Sequence, residues 1–148
     1  AARYYWGQLW PEFRRDDGGD RRNKLINYGY AVVRSGVARA LVAAGLLPAF
    51  GLKHASASNA FNLADDLVEP FRPFVDKLAW RVVGDGRPDR DDLSLDNRRA
   101  MAAVLLEAAS VGADTITLLV AAERSAESLV RAIEAASPAV LELPSFPS

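Results

Sequence analysis

Cysteine is absent from this 148-residue chain, histidine and methionine occur once each, and no apolar run reaches the roughly 18 to 20 residues of a membrane span. Without cysteine there is no disulfide and no thiolate-bound zinc, so any metal must be held by oxygen and imidazole. Such donors suit magnesium or manganese, and an imidazole tilts the choice toward manganese. Net charge is also nearly absent, at -1, so charge balance does not mark a nucleic-acid binder. Half of the residues are apolar and a quarter are charged, an ordinary globular composition. Residues 1–148 are read as one domain, with a proline-containing tail over 137–148.

What is present in quantity is arginine, which supplies all but three of the basic residues and has the fork best shaped for phosphate. Two clusters stand out. Arg14, Arg15, Arg21, Arg22 and Lys24 form one, and Arg81, Arg87, Arg90, Arg98 and Arg99 the other. Both are interleaved with aspartates such as Asp16, Asp17, Asp20, Asp89, Asp91 and Asp92, the pattern of solvated loops. If folding separates the signs, a phosphate-tracking surface results, and its binding falls steeply with salt.

Apolar spacing predicts an all-α bundle of five or six helices. Ala1 to Trp10 reads as the latter part of an amphipathic helix closed by Pro11, so the chain is expected to start inside an element, and no signal or transit peptide is read. Arg14 to Arg22 is expected to be a mobile polar loop. Asn23 to Ala44 is a long, largely buried helix ended by Gly45, with Gly29 and Gly36 permitting close helix packing. A connection over Leu46 to His54 leads to an acidic helix over Asn59 to Glu69, capped by Ser58 or Asn59. Further helices are expected over Pro73 to Val83, from a Ser94 cap through Ala109, and over Thr115 to Ala136, with a turn-rich loop over Gly84 to Asp92. No stretch alternates convincingly enough to be read as a strand.

The chemistry-bearing stretch is Gly51 to Asp76. His54 precedes Asp65, Asp66 and Glu69, and on a helix Glu69 shares a face with at least one aspartate. Pro70 ends or kinks that helix, which leaves Glu69 at the negative end of the macrodipole, a position costing about 0.3 to 1 kcal/mol when exposed. A divalent cation would relieve the crowding. So would ion pairing with Arg72 or Lys77 on a solvated helix face, and spacing alone leaves both readings open.

Three stretches together resemble one family. They are Ala2-Arg3-Tyr4-Tyr5-Trp6, then Asn23-Lys24-Leu25-Ile26-Asn27-Tyr28-Gly29-Tyr30-Ala31-Val32-Val33-Arg34, then the turn Ala43 to Pro48 leading through His54 to Phe61-Asn62-Leu63-Ala64-Asp65-Asp66-Leu67-Val68-Glu69-Pro70-Phe71-Arg72-Pro73. The chain resembles the helical C-terminal domain of Cas-one, the CRISPR endonuclease/integrase of spacer acquisition, in the form that accompanies Cas-nine systems. The resemblance implies a magnesium or manganese site with His54 and Glu69 as catalytic ligands and Asp66 as a further acid at the metal. It also implies DNA contacts from the segment with Asn23 and Tyr28, to which Arg72 and Arg81 are added as candidates. The implied partners are prespacer and repeat DNA, Cas-two, and a second copy of the full-length protein, in a prokaryotic cytoplasm and away from membranes. The family pattern places a third ligand, a glutamate, just before the segment matched by Ala1 and Ala2, and a β-rich domain before that, so the chain is read as lacking both.

Two other readings use the same residues. Asp65-Asp66-Leu67-Val68-Glu69 is similar to the aspartate-rich helix of isoprenoid synthases, which holds a diphosphate through magnesium. Alternatively the acids are surface charges of a non-catalytic helical interaction module.

Overall fold

A computed structural model describes residues 2–84 and 93–148. Six α-helices account for most of them: α1 (Ala2–Leu9), α2 (Arg21–Ala43), α3 (Asn62–Leu67), α4 (Arg72–Gly84), α5 (Leu95–Ala102) and α6 (Leu118–Glu134). The helical class expected from the sequence is observed. The loop expected over residues 84–92 lies, from residue 85 onward, outside the described residues, with Arg87 and Arg90 in it.

α2 is the axis of the fold, packing against α3, α4, α5 and α6. Asp20 starts it, its carboxylate accepting from the Arg22 N–H at 2.8 Å. Gly45 stops it at φ +83, with the Leu46 N–H reaching back to the Leu41 carbonyl at 2.9 Å and the Gly45 N–H to Val42 at 3.0 Å. Leu25, Ile26, Val33, Val37 and Leu41 are fully or almost fully buried along it. Gly29 lets α2 sit close to α4 and α5: a Cβ there would stand 2.5 Å from Val75 Cγ1 and 2.8 Å from Met101 Cε. Ala121, Ala122, Ser125, Ala126 and Ala132 give α6 a similarly small buried face.

One strand pair departs from the all-α expectation. Ala108–Val111 (β1) and Asp114–Thr117 (β2) form an antiparallel hairpin, with Ala108 opposite Thr117 and Val111 opposite Asp114. Gly112 turns the chain at φ +59, so the helix expected through Ala109 ends at Ala102, a short 3-10 turn follows, and the last helix begins at Leu118 rather than Thr115. Four-residue strands carry too few side chains for alternation to register.

Two segments are better anchored than the sequence suggests. The Arg14 to Arg22 stretch, expected to be mobile, is pinned by Asn23, whose buried amide donates to the carbonyls of Arg14 and Asp17, both at 2.7 Å. The tail lies against the body: the Glu142 N–H donates to Ser128 Oγ at 2.9 Å, and Ser145 exchanges two 2.9 Å backbone bonds with Ser110 on β1. Phe146 rests on Phe74 with ring centroids 4.5 Å apart.

Gly29→Val forces displacement of Val75 and Met101, and denaturant unfolding is expected to show a loss of about 1 to 3 kcal/mol. The side-chain bond from Arg22 is the main reason the Asp20 carboxyl lies below its ordinary range. A lowered folded-state pKa contributes stability above the unfolded value near pH 4, lost as pH falls through the folded value. Asp20→Ala is therefore expected to cost about 1 kcal/mol at pH 7, with the difference from wild type shrinking in melts below about pH 4.

Candidate functional site

The loop carrying His54 is folded around one carboxylate. Asp66, on α3, accepts from the backbone N–H groups of Leu52, of Lys53 at 2.9 Å and of His54 at 3.1 Å, while its Oδ1 meets His54 Nδ1 at 2.6 Å. Desolvation pushes the Asp66 carboxyl up, but the donors from Lys53, the His54 ring, His54 N–H and Leu52 together hold it below its ordinary range. With Asp66 ionised, Nδ1 carries a proton toward it, and in the neutral ring Nε2 is then the acceptor nitrogen. A carboxylate behind Nδ1 is the arrangement that orients a metal-binding or proton-transferring imidazole.

Packing completes the loop. Asn62 donates its amide to the carbonyls of Ala49 at 3.0 Å and Ser56 at 2.8 Å, tying both ends to α3. Gly51 has no room for a side chain, since a Cβ would stand 2.1 Å from the His54 carbonyl oxygen and 3.0 Å from Asp66 Oδ2. The result is a cleft of 540 Å³ lined by Phe50, Gly51, His54, Ser56, Asn59 and Asn62 among others. Asn62 Oδ1 is buried without a hydrogen-bond partner.

The three neighbouring acids have different surroundings. Asp65 is held by Arg34 through Nε at 2.6 Å and Nη2 at 2.7 Å, and by Asn59 at 2.8 Å. That bidentate guanidinium is the leading reason its carboxyl sits below the ordinary range. Glu69 lies beyond α3 in a 3-10 turn over Glu69–Phe71, its side chain 60% exposed and 3.1 Å from Arg72. The acidic helix is thus shorter than expected, ending at Leu67, and neither Ser58 nor Asn59 is its N-cap; that position is Phe61, whose N–H donates to Asn59 Oδ1 at 3.0 Å.

The remaining expected site residues divide by exposure. Asn23 is buried, and its Oδ1 accepts from Arg15 at 2.8 Å, so its hydrogen bonds stay within the protein. Tyr28 is half-buried in a groove along α2 with Ala31, Ser35, Gly36, Arg39 and Leu105. Arg72 lies over the Tyr30 ring, 5.0 Å from its centroid, and Arg81 pairs with Glu107 at 2.6 Å. Among the described residues no three histidine, aspartate or glutamate side chains converge to hold a metal ion. The donor chemistry of His54 suits one, but the set is incomplete. No helix of the described residues is long and apolar enough to cross a membrane.

Sequence reasoning missed Gly51, Asn62 and the Arg34–Asp65–Asn59 cluster. The spacing of Pro48 and Gly51 signalled a tight connection; nothing in the sequence signalled which acid the loop would close on.

Fold and site together define a mostly helical domain that presents a carboxylate-oriented imidazole from a loop packed on a short acidic helix. A sequence model of the family described as CRISPR associated protein Cas1 matches residues 10–111, and the chain belongs to that family. It is 45% identical over 87 residues to the CRISPR-associated endonuclease Cas1 of Neisseria meningitidis serogroup C, which covers 59% of this chain and 28% of that protein. It is 36% identical over 94 residues to a CRISPR-associated endonuclease Cas1 of Saccharolobus solfataricus, covering 58% of this chain and 31% of the relative. A Pyrobaculum aerophilum relative of the same name is 30% identical over 112 residues, or 72% of this chain and 38% of its own length. The chain thus spans roughly a third of the curated relatives it matches.

Removing the Asp66 carboxylate leaves three N–H groups and the imidazole without their acceptor. Asp66→Ala is expected to lower stability by about 1 to 3 kcal/mol in chemical denaturation, whereas Glu69→Ala, which breaks only an exposed pair, stays within about 0.5 kcal/mol of wild type.

Proposed function

We propose that this domain serves a metal-dependent DNA endonuclease and integrase of CRISPR spacer acquisition, acting in a prokaryotic cytoplasm. The observation that carries the reading is the His54–Asp66 couple in a chain of the Cas1 family. A ring nitrogen left free by a fixed tautomer is a ligand of defined direction.

In this reading His54 Nε2 and the Glu69 carboxylate would hold magnesium or manganese, with Asp66 beside them orienting the imidazole. The remaining ligand comes from beyond the described residues, as the resemblance to the family implies. A bound divalent ion supplies charge stabilisation at a phosphodiester oxygen and favours deprotonation of the attacking group. That group is the 3'-hydroxyl of a prespacer when the product is joined DNA, and water when the product is cleaved DNA. Around this centre the chain's own groups bind and orient. Arg72 and Arg81 present guanidinium groups for phosphate, and the Tyr28 ring lines the α2 groove where a base or sugar can lie. Repeat DNA, Cas-two and a second copy of the full-length protein complete the assembly.

The surroundings of the two aspartates distinguish this reading from the diphosphate one. Asp65 is committed to Arg34 and Asp66 to the His54 loop, so the aspartate pair does not present the two free carboxylates a diphosphate-bound magnesium needs.

Manganese titration by calorimetry tests the proposal. The 148-residue chain is expected to bind Mn²⁺ weakly and to cut DNA poorly, with His54→Ala and Glu69→Ala each lowering affinity by about tenfold or more. Tight binding unaffected by either substitution would overturn it.

A further inference from the structure

Two guanidinium groups from distant parts of the chain gather about one ring. Arg15 Cζ lies 5.6 Å and Arg72 Cζ 5.0 Å from the centroid of Tyr30, so the two forks are no farther apart than the sum of those distances. The ring itself is fixed. Its hydroxyl donates to Asp76 Oδ1 at 2.7 Å, and the other oxygen of Asp76 takes the Tyr5 hydroxyl at 2.7 Å. Asp76 is buried, so one enclosed carboxylate stands behind two cations.

Arg15 is the less compensated of the two. Arg72 has Glu69 at 3.1 Å. Arg15 donates to the side-chain oxygens of Asn23 at 2.8 Å and Asn27 at 2.6 Å, both neutral, and among the described residues no carboxylate lies within ion-pair distance of it. Asparagine oxygens aim a guanidinium without cancelling its charge. The same side chain lines an open cleft of 830 Å³ with Trp6, Gly7, Phe13 and Arg14. Two acids share that wall, Glu12 and Asp16, and Asp16 faces Arg14 at 3.9 Å.

We infer that Arg15 and Arg72 form one seat for the backbone phosphates of single-stranded DNA, with Tyr30 spacing the forks and the two asparagines aiming Arg15. A cleft of this volume is the size of a small-ligand pocket, so it takes a short stretch of one strand and not a duplex. A strand leaving it past Tyr30 meets Arg72 next, and Arg72 adjoins Glu69. The inference rests on DNA as the substrate, as proposed above, and adds to it Arg15, the single strand and the direction of approach.

Fluorescence anisotropy of a labelled oligothymidylate with the 148-residue chain, measured across a salt series, tests it. Arg15→Met is expected to weaken binding about three- to tenfold and to reduce the slope of log affinity against log salt by about 0.7, the contribution of one phosphate contact on a single strand. Arg72→Met is expected to match it, the double variant to lose about twice that slope, and Arg15→Lys, which keeps the charge, to hold the wild-type slope. An unchanged slope in Arg15→Met overturns the inference, because a variant that merely loosened the fold would bind less without releasing fewer ions. Tighter binding of a duplex of the same length overturns it too, and so does a slope lost as fully in Arg15→Lys as in Arg15→Met. If the unmutated chain binds no oligothymidylate, DNA as the substrate of this domain fails and takes the inference with it. A second measurement on the unmutated chain guards against misfolded variants: the Nε–H NMR signals of Arg15 and Arg72 are expected to shift on oligothymidylate binding, while that of Arg124, paired with Asp114, stays in place. An unmoved Arg15 signal in the bound chain overturns the inference.

Discussion

The carboxylate of Asp66 is the constraint from which the candidate site is built. A connection bounded by Pro48 and Gly51 has no repetitive hydrogen bonding of its own, so its N–H groups need acceptors from elsewhere. Asp66 supplies acceptors for three in succession, Leu52, Lys53 and His54, and the same carboxylate meets the His54 ring. Backbone and side chain of one residue are thus fixed by one group. The imidazole direction is then a property of the short helix α3, which Leu63, Ala64 and Leu67 bury against the core. A loop-borne ligand gains the precision of a packed element in this way.

Three acids within five positions would repel one another if they shared a common environment. The structure gives each a different cation or donor set. Asp65 faces Arg34 of α2, which also lies 4.5 Å over the Phe61 ring, and so joins α3 to the central helix. Asp66 faces backbone dipoles. Glu69 faces solvent and Arg72. The grading runs from bidentate and partly buried, through saturated by neutral donors, to exposed and singly paired. Only the last is an exposed single contact of the kind that exchanges easily.

The long helices were legible because their cause is local and repeated: apolar spacing along α2 and α6, and Gly45 at a stop; the Asp20 cap that starts α2 at Arg21, rather than at the expected Asn23, was not. The Gly29 close approach was legible for the same reason, since a glycine inside a buried helix has few other uses. The β1–β2 hairpin was not, because its short strands are held by the Ser145 bridge and by packing that no periodicity records. His54 and Asp66 could be named from sequence, but their contact depends on how the connection before α3 folds back, a matter of Gly51 clearance and of Asn62 reaching two carbonyls. Asn23 has a packing role that its place in the motif does not reveal. A residue conspicuous in a motif turned out to organise the loop from Arg14 to Asp17 internally.

Asp76 explains how the candidate site is joined to the rest of the helices. Burial pushes its carboxyl up, while the hydroxyls of Tyr30 and Tyr5, and then Arg15 and Arg72, oppose that shift. Burial in turn pushes both tyrosine hydroxyls above their ordinary range, which keeps them protonated as donors. An acid this enclosed is costly to hold ionised and more costly to strip of its partners, so the cluster resists partial rearrangement. Its members sit on α1, α2 and α4, and Arg72 carries the connection from Tyr30 to Glu69. Displacing Tyr5 would therefore loosen Asp76, then Tyr30, then the seat of Arg72, and reach Glu69 without any direct contact between α1 and that carboxylate. The placement of α1 and the seat of Arg72 are in this sense one problem, solved by a single buried aspartate.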